Sequence, residues 1–185
     1  MSMQCPGCGA SMVLPAGKDY LRCEYCSTLH FPAPNADGVR VLEVTSEYPC
    51  PACHGLPQQL TKAAAGSVAL DYCTRCHGLL ISMGVFGVLL EELRSRHEMS
   101  EYAGTQPDWD SLRRKLKCPS CAAPMTAHPY AGPGAVIIDS CSACLLNWLD
   151  RGELYRIVRA PDRRFATLID EDERQKIAAE AENSW

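Results

Sequence analysis

Phe86, Leu89, Leu90 and Leu93 recur at helical spacing, an apolar stripe with Glu92 and Arg96 four residues apart on the other face. Ser82, a good N-cap residue, stands where this helix should begin. A shorter stripe, Leu154, Ile157 and Val158, follows Asp150-Arg151-Gly152-Glu153. That segment reads as a capping box, so a short helix is predicted to start at Asp150 or Arg151, with Asp150 as N-cap. Strand-like runs precede both helices: Ser67-Val68-Ala69-Leu70 after Gly66, and Ala135-Val136-Ile137-Ile138 after Gly132-Pro133-Gly134. Asp19-Tyr20-Leu21-Arg22 after Gly17 is a third. Arg40 to Val44 alternates like a strand, preceded by the turn-rich linker Pro32 to Gly38. Residues 98–107 read as loop. Asp108 to Leu116 reads as a short helix with Trp109, Leu112 and Leu116 on one face. A final polar, alanine-rich helix is predicted from Asp162. The longest apolar segment, Val85 to Leu90, falls far short of the roughly 18 residues of a membrane helix.

The cysteines set the chemistry. All 12 fall in Cys-x-x-Cys pairs: Cys5/Cys8, Cys23/Cys26, Cys50/Cys53, Cys73/Cys76, Cys118/Cys121 and Cys141/Cys144. A disulfide framework would imply a secreted chain with a signal peptide. The start, Met1-Ser2-Met3-Gln4-Cys5, has neither a basic nor an apolar run, so a cytoplasmic location is expected. Zn²⁺ takes four thiolates in a tetrahedron, two from each Cys-x-x-Cys turn, and a β-hairpin can return the second turn to the first. The stretches between Cys8 and Cys23, Cys53 and Cys73, and Cys121 and Cys141 each suffice for two short strands and a turn. The first is the shortest, and the other two are equal in length. Three zinc ions, each held by four cysteines, are therefore predicted. Iron in such a site, or thiol redox chemistry, is the alternative. Four-sulfur sites leave no open metal position for water, and no nucleophile–base pair or phosphate loop stands out, so no enzymatic activity is expected.

The shift that carries Cys50 onto Cys118 superposes the whole second group of four cysteines on the third. Pro51 then matches Pro119, Val68 matches Val136, Asp71 matches Asp139 and Gly84 matches Gly152. The reading is a small metal-stabilised α+β chain of three tandem zinc ribbons, β-hairpins with four-cysteine zinc knuckles, the second and third followed by packed helices. The segments are 1–31 (short ribbon), 32–48 (linker and entering strand), 49–98 (second ribbon plus helix), 99–117 (linker with short helix), 118–160 (third ribbon plus short helix) and 161–185 (acidic helix or tail).

The third unit has a specific ending, Asp139-x-Cys141-x-x-Cys144-x3-Trp148-Leu149-Asp150-x-Gly152-Glu153-Leu154. With Cys118-Pro-Ser-Cys121-x3-Met125 it resembles the bacterial transcription-factor-IIB-type zinc-ribbon family over residues 118–156. Residues 50–94 look like a degenerate copy, with Leu80 for Trp148, Ser82 for Asp150 and no Glu. The resemblance implies zinc binding and a ribbon fold, and does not imply a transcription factor.

His54 and His77 each follow a cysteine and are expected beside the metal sites or at the surface, not as ligands. Asp71 and Asp139 are expected to serve backbone or turn hydrogen bonding, and Trp148 to pack on its hairpin. Twelve thiolates add −12 and three Zn²⁺ add +6, which takes the formal charge from −4 to −10. Residues 112–164 are nevertheless net +5, while residues 165–185 are net −4. A protein partner is the leading expectation. Nucleic-acid contact is the alternative, through Arg113, Arg114, Lys115, Lys117, Arg156, Arg159, Arg163 and Arg164. No membrane association is expected, and the sequence leaves the oligomeric state open.

Overall fold

The computed structural model describes residues 3–15, 18–53, 55, 58–96, 109–130 and 136–160. The turns proposed at Gly17 and at 132–134, the loop at 98–107, the cap Asp108, and the final helix from Asp162 lie outside the described residues, as do His54, Arg163 and Arg164.

The first ribbon is a three-stranded antiparallel sheet, β1 (Met12–Val13), β2 (Leu21–Cys23) and β3 (Leu29–His30). The other strands form a single seven-stranded sheet. They are β4 (Val39–Pro49), β5 (Gln59–Ala65), β6 (Val68–Tyr72), β7 (Leu79–Ser82), β8 (Thr126–Pro129), β9 (Ile137–Cys141) and β10 (Leu146–Leu149). The order is β4-β5-β6-β7-β10-β9-β8. Helix α1 (Met83–Ser95) follows β7, a 3₁₀ helix (Trp109–Arg113) precedes β8, and α2 (Glu153–Arg159) follows β10. No helix among the described residues is long and apolar enough to cross a membrane.

The second and third ribbons are thus joined through their last strands. The β7–β10 register pairs Leu79 with Leu149, Leu80 with Trp148 and Ile81 with Asn147. Leu80 and Trp148 are the residues that the internal repeat superposes. The repeat therefore meets itself about a local pseudo-twofold, with that pair at its centre. Pairing the two ladders satisfies edge N–H and C=O groups that each ribbon alone would expose.

Alternation along the strands sorts the side chains to two faces. Leu70, Tyr72, Leu79, Ile81, Ile138 and Leu149 share one core with Phe86, Leu89, Leu90 and Leu93 of α1 and with Leu154 and Ile157 of α2. Arg94 Nη2 donates to the Ile157 carbonyl at 2.8 Å and ties α1 to α2. Leu60, Leu80, Leu116, Met125 and Trp148 form a second core with the cysteines of both groups.

The local readings fare differently. Ser82 caps α1, its hydroxyl accepting from Gly84 N–H at 3.3 Å. Asp150 does not cap α2, which starts three residues later behind Gly152 at φ +77. The Asp150 side chain is already engaged. It accepts from Trp148 Nε1 at 3.0 Å and from Arg114 Nη1 at 2.5 Å. Half of the capping box survives, since Asp150 N–H donates to Glu153 Oε2 at 2.7 Å. The entering strand is longer than Arg40–Val44, because β4 continues through register shifts to Pro49 along β5. Of the stripe Trp109, Leu112 and Leu116, only Leu116 is buried, since the 3₁₀ helix ends before it.

Candidate metal centres

The twelve cysteines are all free thiols and gather in three groups of four. The groups are Cys5/Cys8/Cys23/Cys26, Cys50/Cys53/Cys73/Cys76 and Cys118/Cys121/Cys141/Cys144, with all sulfurs of a group within 4.8 Å of one another. Cross-hairpin Sγ–Sγ distances are 3.5 Å (Cys5–Cys26), 3.6 Å (Cys50–Cys76) and 3.7 Å (Cys121–Cys141). A tetrahedron with metal–sulfur bonds near 2.3 Å has edges of about 3.8 Å. Each group thus has the size to hold one metal ion.

The backbone builds the knuckles in one pattern. The N–H four residues after the first cysteine of a pair returns to that cysteine's carbonyl: Gly9 to Cys5 (2.8 Å), Ser27 to Cys23 (2.9 Å), His77 to Cys73 (2.8 Å), Ala122 to Cys118 (2.9 Å). These four residues, and Leu145 after Cys141, have φ between +55 and +76. Only Gly9 among them is a glycine. The left-handed conformation costs an L-residue about 1–2 kcal/mol, so the knuckles at Ser27, His77, Ala122 and Leu145 store strain that a bound metal would hold in place. His77 owes its place to this turn. Its Nδ1 meets the Tyr72 hydroxyl at 2.5 Å, and the four-sulfur group beside it contains no histidine.

The sulfur environments are not equal. Backbone N–H donation from Cys144 draws the Cys141 thiol down to about 7, and the Thr28 hydroxyl draws Cys26 down to about 6. Burial pushes Cys118 up to about 12. Four thiolates at these spacings repel strongly, and a divalent cation among them is what brings all four to the deprotonated form.

The matched aspartates hold cations, not turns. Asp71 faces Lys62 across β5–β6, with Nζ at 3.0 Å. Asp139 faces Ala127 on β8, and its cation comes from outside the hairpin. Arg114 Nη2 reaches Asp139 at 2.6 Å while Nη1 reaches Asp150. Arg114 thus latches the segment before the third ribbon to β9 and to the β10–α2 turn. It is held in these pairs and is not offered to phosphate. No local sequence pattern marked this link. Asp139 is 1 % exposed, so Arg114→Ala leaves a buried carboxylate without its counter-charge. A stability loss of about 3 kcal/mol is expected. Burial already raises the Asp139 pKa, and loss of Arg114 raises it further. A folded-state pKa above the ordinary carboxylate value means stability lost as pH rises from that value towards the folded one, so the deficit should be larger at pH 8.5 than at pH 5. Chemical denaturation at both values checks this, and a pH-independent deficit would contradict it.

Glu153 is buried, and burial lifts its carboxyl to about 8. Its folded pKa lies above the ordinary value, so its contribution falls as pH rises towards 8. Glu153→Gln keeps an acceptor for Asp150 N–H without the charge. The variant should gain about 2 kcal/mol on the wild type between pH 6 and pH 9. Parallel denaturation curves over that range would refute it.

Among the other cations of the basic segment, Arg113 is exposed beside Asp110 (3.7 Å), and Lys115 and Lys117 are exposed. Arg156 lies 3.7 Å from Glu153, and Arg159 sits over the Tyr155 ring at 4.5 Å. Trp148 is fully buried and packs between the ribbons.

No curated protein and no solved structure matches the chain. Residues 117–160 match the model of a family described as transcription factor zinc-finger. With the four-cysteine geometry above, the third module is a zinc ribbon of the transcription-factor-IIB type, and the two further four-cysteine clusters suggest additional ribbons.

Proposed function

We propose that this chain is a non-enzymatic protein-interaction module carried on three structural zinc sites. The observation behind it is the sulfur grouping: in each group four cysteine sulfurs lie within 4.8 Å of one another, enough to supply all four ligands of a tetrahedral ion. A metal held there has no free position at which to activate water or substrate, so it stabilises structure. Zinc is preferred over iron because hairpins this small need a permanent, redox-inert staple. The engagement of Arg114 with Asp139 and Asp150 removes one cation from the basic segment, which favours protein over phosphate as the target. Nucleic acid is the second reading, supported by exposed Arg113, Lys115 and Lys117. Elemental analysis of the purified chain should give three zinc ions per chain. A value near zero, or iron with its visible absorption, would overturn the reading. Retention of single- or double-stranded probes in a mobility shift at low salt, lost in the Lys115→Ala/Lys117→Ala variant, would replace it with the second.

A further inference from the structure

The first ribbon buries one face of its sheet and leaves the other open. Met12, Leu21 and Cys23 point inward to a small core with Cys5, against which Val44 of β4 packs. The alternate residues point away. The register sets Val13, Arg22 and Leu29 in a row across the three strands. Beside that row Tyr20 and Phe31 make a tilted ring pair, with centroids 5.2 Å apart. Leu29 is 47 % exposed and Phe31 57 %, and Tyr25 on the adjoining knuckle is also exposed. Arg22, at the centre, is exposed and pairs with no acid among the described residues. Large apolar groups clustered this way around one cation mark a contact surface, unlike scattered single exposures.

We infer that this outward face docks an extended peptide segment of a protein partner, one that carries an acidic residue between apolar residues. This rests on the protein-interaction reading above and names its surface. The apolar residues would cover Tyr20/Phe31 and Val13/Leu29, and the carboxylate would meet Arg22 in a charge-assisted pair. The outer edge of β3 has no strand partner among the described residues, so the segment can add main-chain hydrogen bonds there. Charge argues against nucleic acid, since the chain is net −4 and a filled four-cysteine site adds −2 beside this face. A second copy stacked on the same face would bring Arg22 towards Arg22.

The test uses the zinc-loaded full chain panned against a display library of random twelve-residue peptides. Enriched peptides should carry Asp or Glu flanked by apolar residues. Arg22→Glu and Phe31→Ser should each weaken them at least tenfold while metal content and circular dichroism stay unchanged. Arg22→Glu should also select basic peptides in place of acidic ones. Enriched peptides that bind both variants as tightly as wild type would overturn the surface and leave the protein-interaction reading standing. No enrichment at all would overturn both. Arg22-dependent retention of oligothymidine in place of peptides would assign the face to nucleic acid and overturn the inference.

Discussion

Cys141→Ser is expected to remove one metal ion per chain and to unfold residues 39–160 far more than residues 3–30. Structural zinc contributes on the order of 10–16 kcal/mol in comparable small sites, as much as the whole stability of a typical domain. Cys141 ends β9 and its group anchors β10, which is the partner of β7. Loss of the third site therefore removes half of a shared core, in which Ile138, Leu149, Leu154 and Ile157 pack with Leu79, Ile81 and Phe86. Three independent ribbons would behave otherwise, with damage confined to one. The first ribbon has its own core of Cys5, Met12, Leu21 and Cys23, and should keep its protection. Metal analysis together with hydrogen exchange distinguishes the cases. Wild-type protection in β9 and β10, or undiminished protection in β7, would contradict the shared unit.

The second large effect is expected at the centre of the junction. A Cβ on Gly78 would overlap the six-membered ring of Trp148, which is fully buried. Neither partner can retreat. Gly78 accepts the Cys73 N–H at 2.9 Å inside a metal knuckle, and Trp148 Nε1 is bonded to Asp150. Gly78→Ala should cost about 3 kcal/mol, the upper end for overpacking. Trp148→Leu alone leaves a cavity and should cost about 2–4 kcal/mol. The double variant should cost clearly less than the sum, because the leucine leaves room for the new methyl. The repeat supports this coupling. Where the third ribbon has Trp148 the second has Leu80, and where the second has Gly78 the third has Leu146. Leu80 is thus the smaller half of a matched pair. A double-mutant cycle by chemical denaturation checks it, and strict additivity would show that the two residues do not share the space.

What the sequence determined by itself is what short-range chemistry enforces. The six Cys-x-x-Cys pairs, joined two by two through stretches just long enough for a hairpin, specify three four-cysteine groups once metal is bound, because each turn and hairpin is local. Helix α1 was legible for the same reason, since a clean apolar stripe and an unoccupied Ser82 hydroxyl leave one outcome. The rest was decided in three dimensions. The capping box at Asp150 gave way because Trp148 and Arg114 claim the same carboxylate, and no local pattern records that competition. The left-handed positions at Ser27, His77, Ala122 and Leu145 carry no glycine to announce them, because the closed knuckle imposes the conformation on whatever residue stands there. Arg114 reads as one more surface cation until the distant Asp139 is buried with only Ala127 opposite it on β8. The joining of two ribbons into one sheet is likewise absent from either ribbon's own sequence. The pairing of β7 with β10 links strands from separate ribbons, far apart along the chain. It is fixed by edge hydrogen bonds and by the fit of Trp148 over Gly78, which exist only once both ribbons have folded.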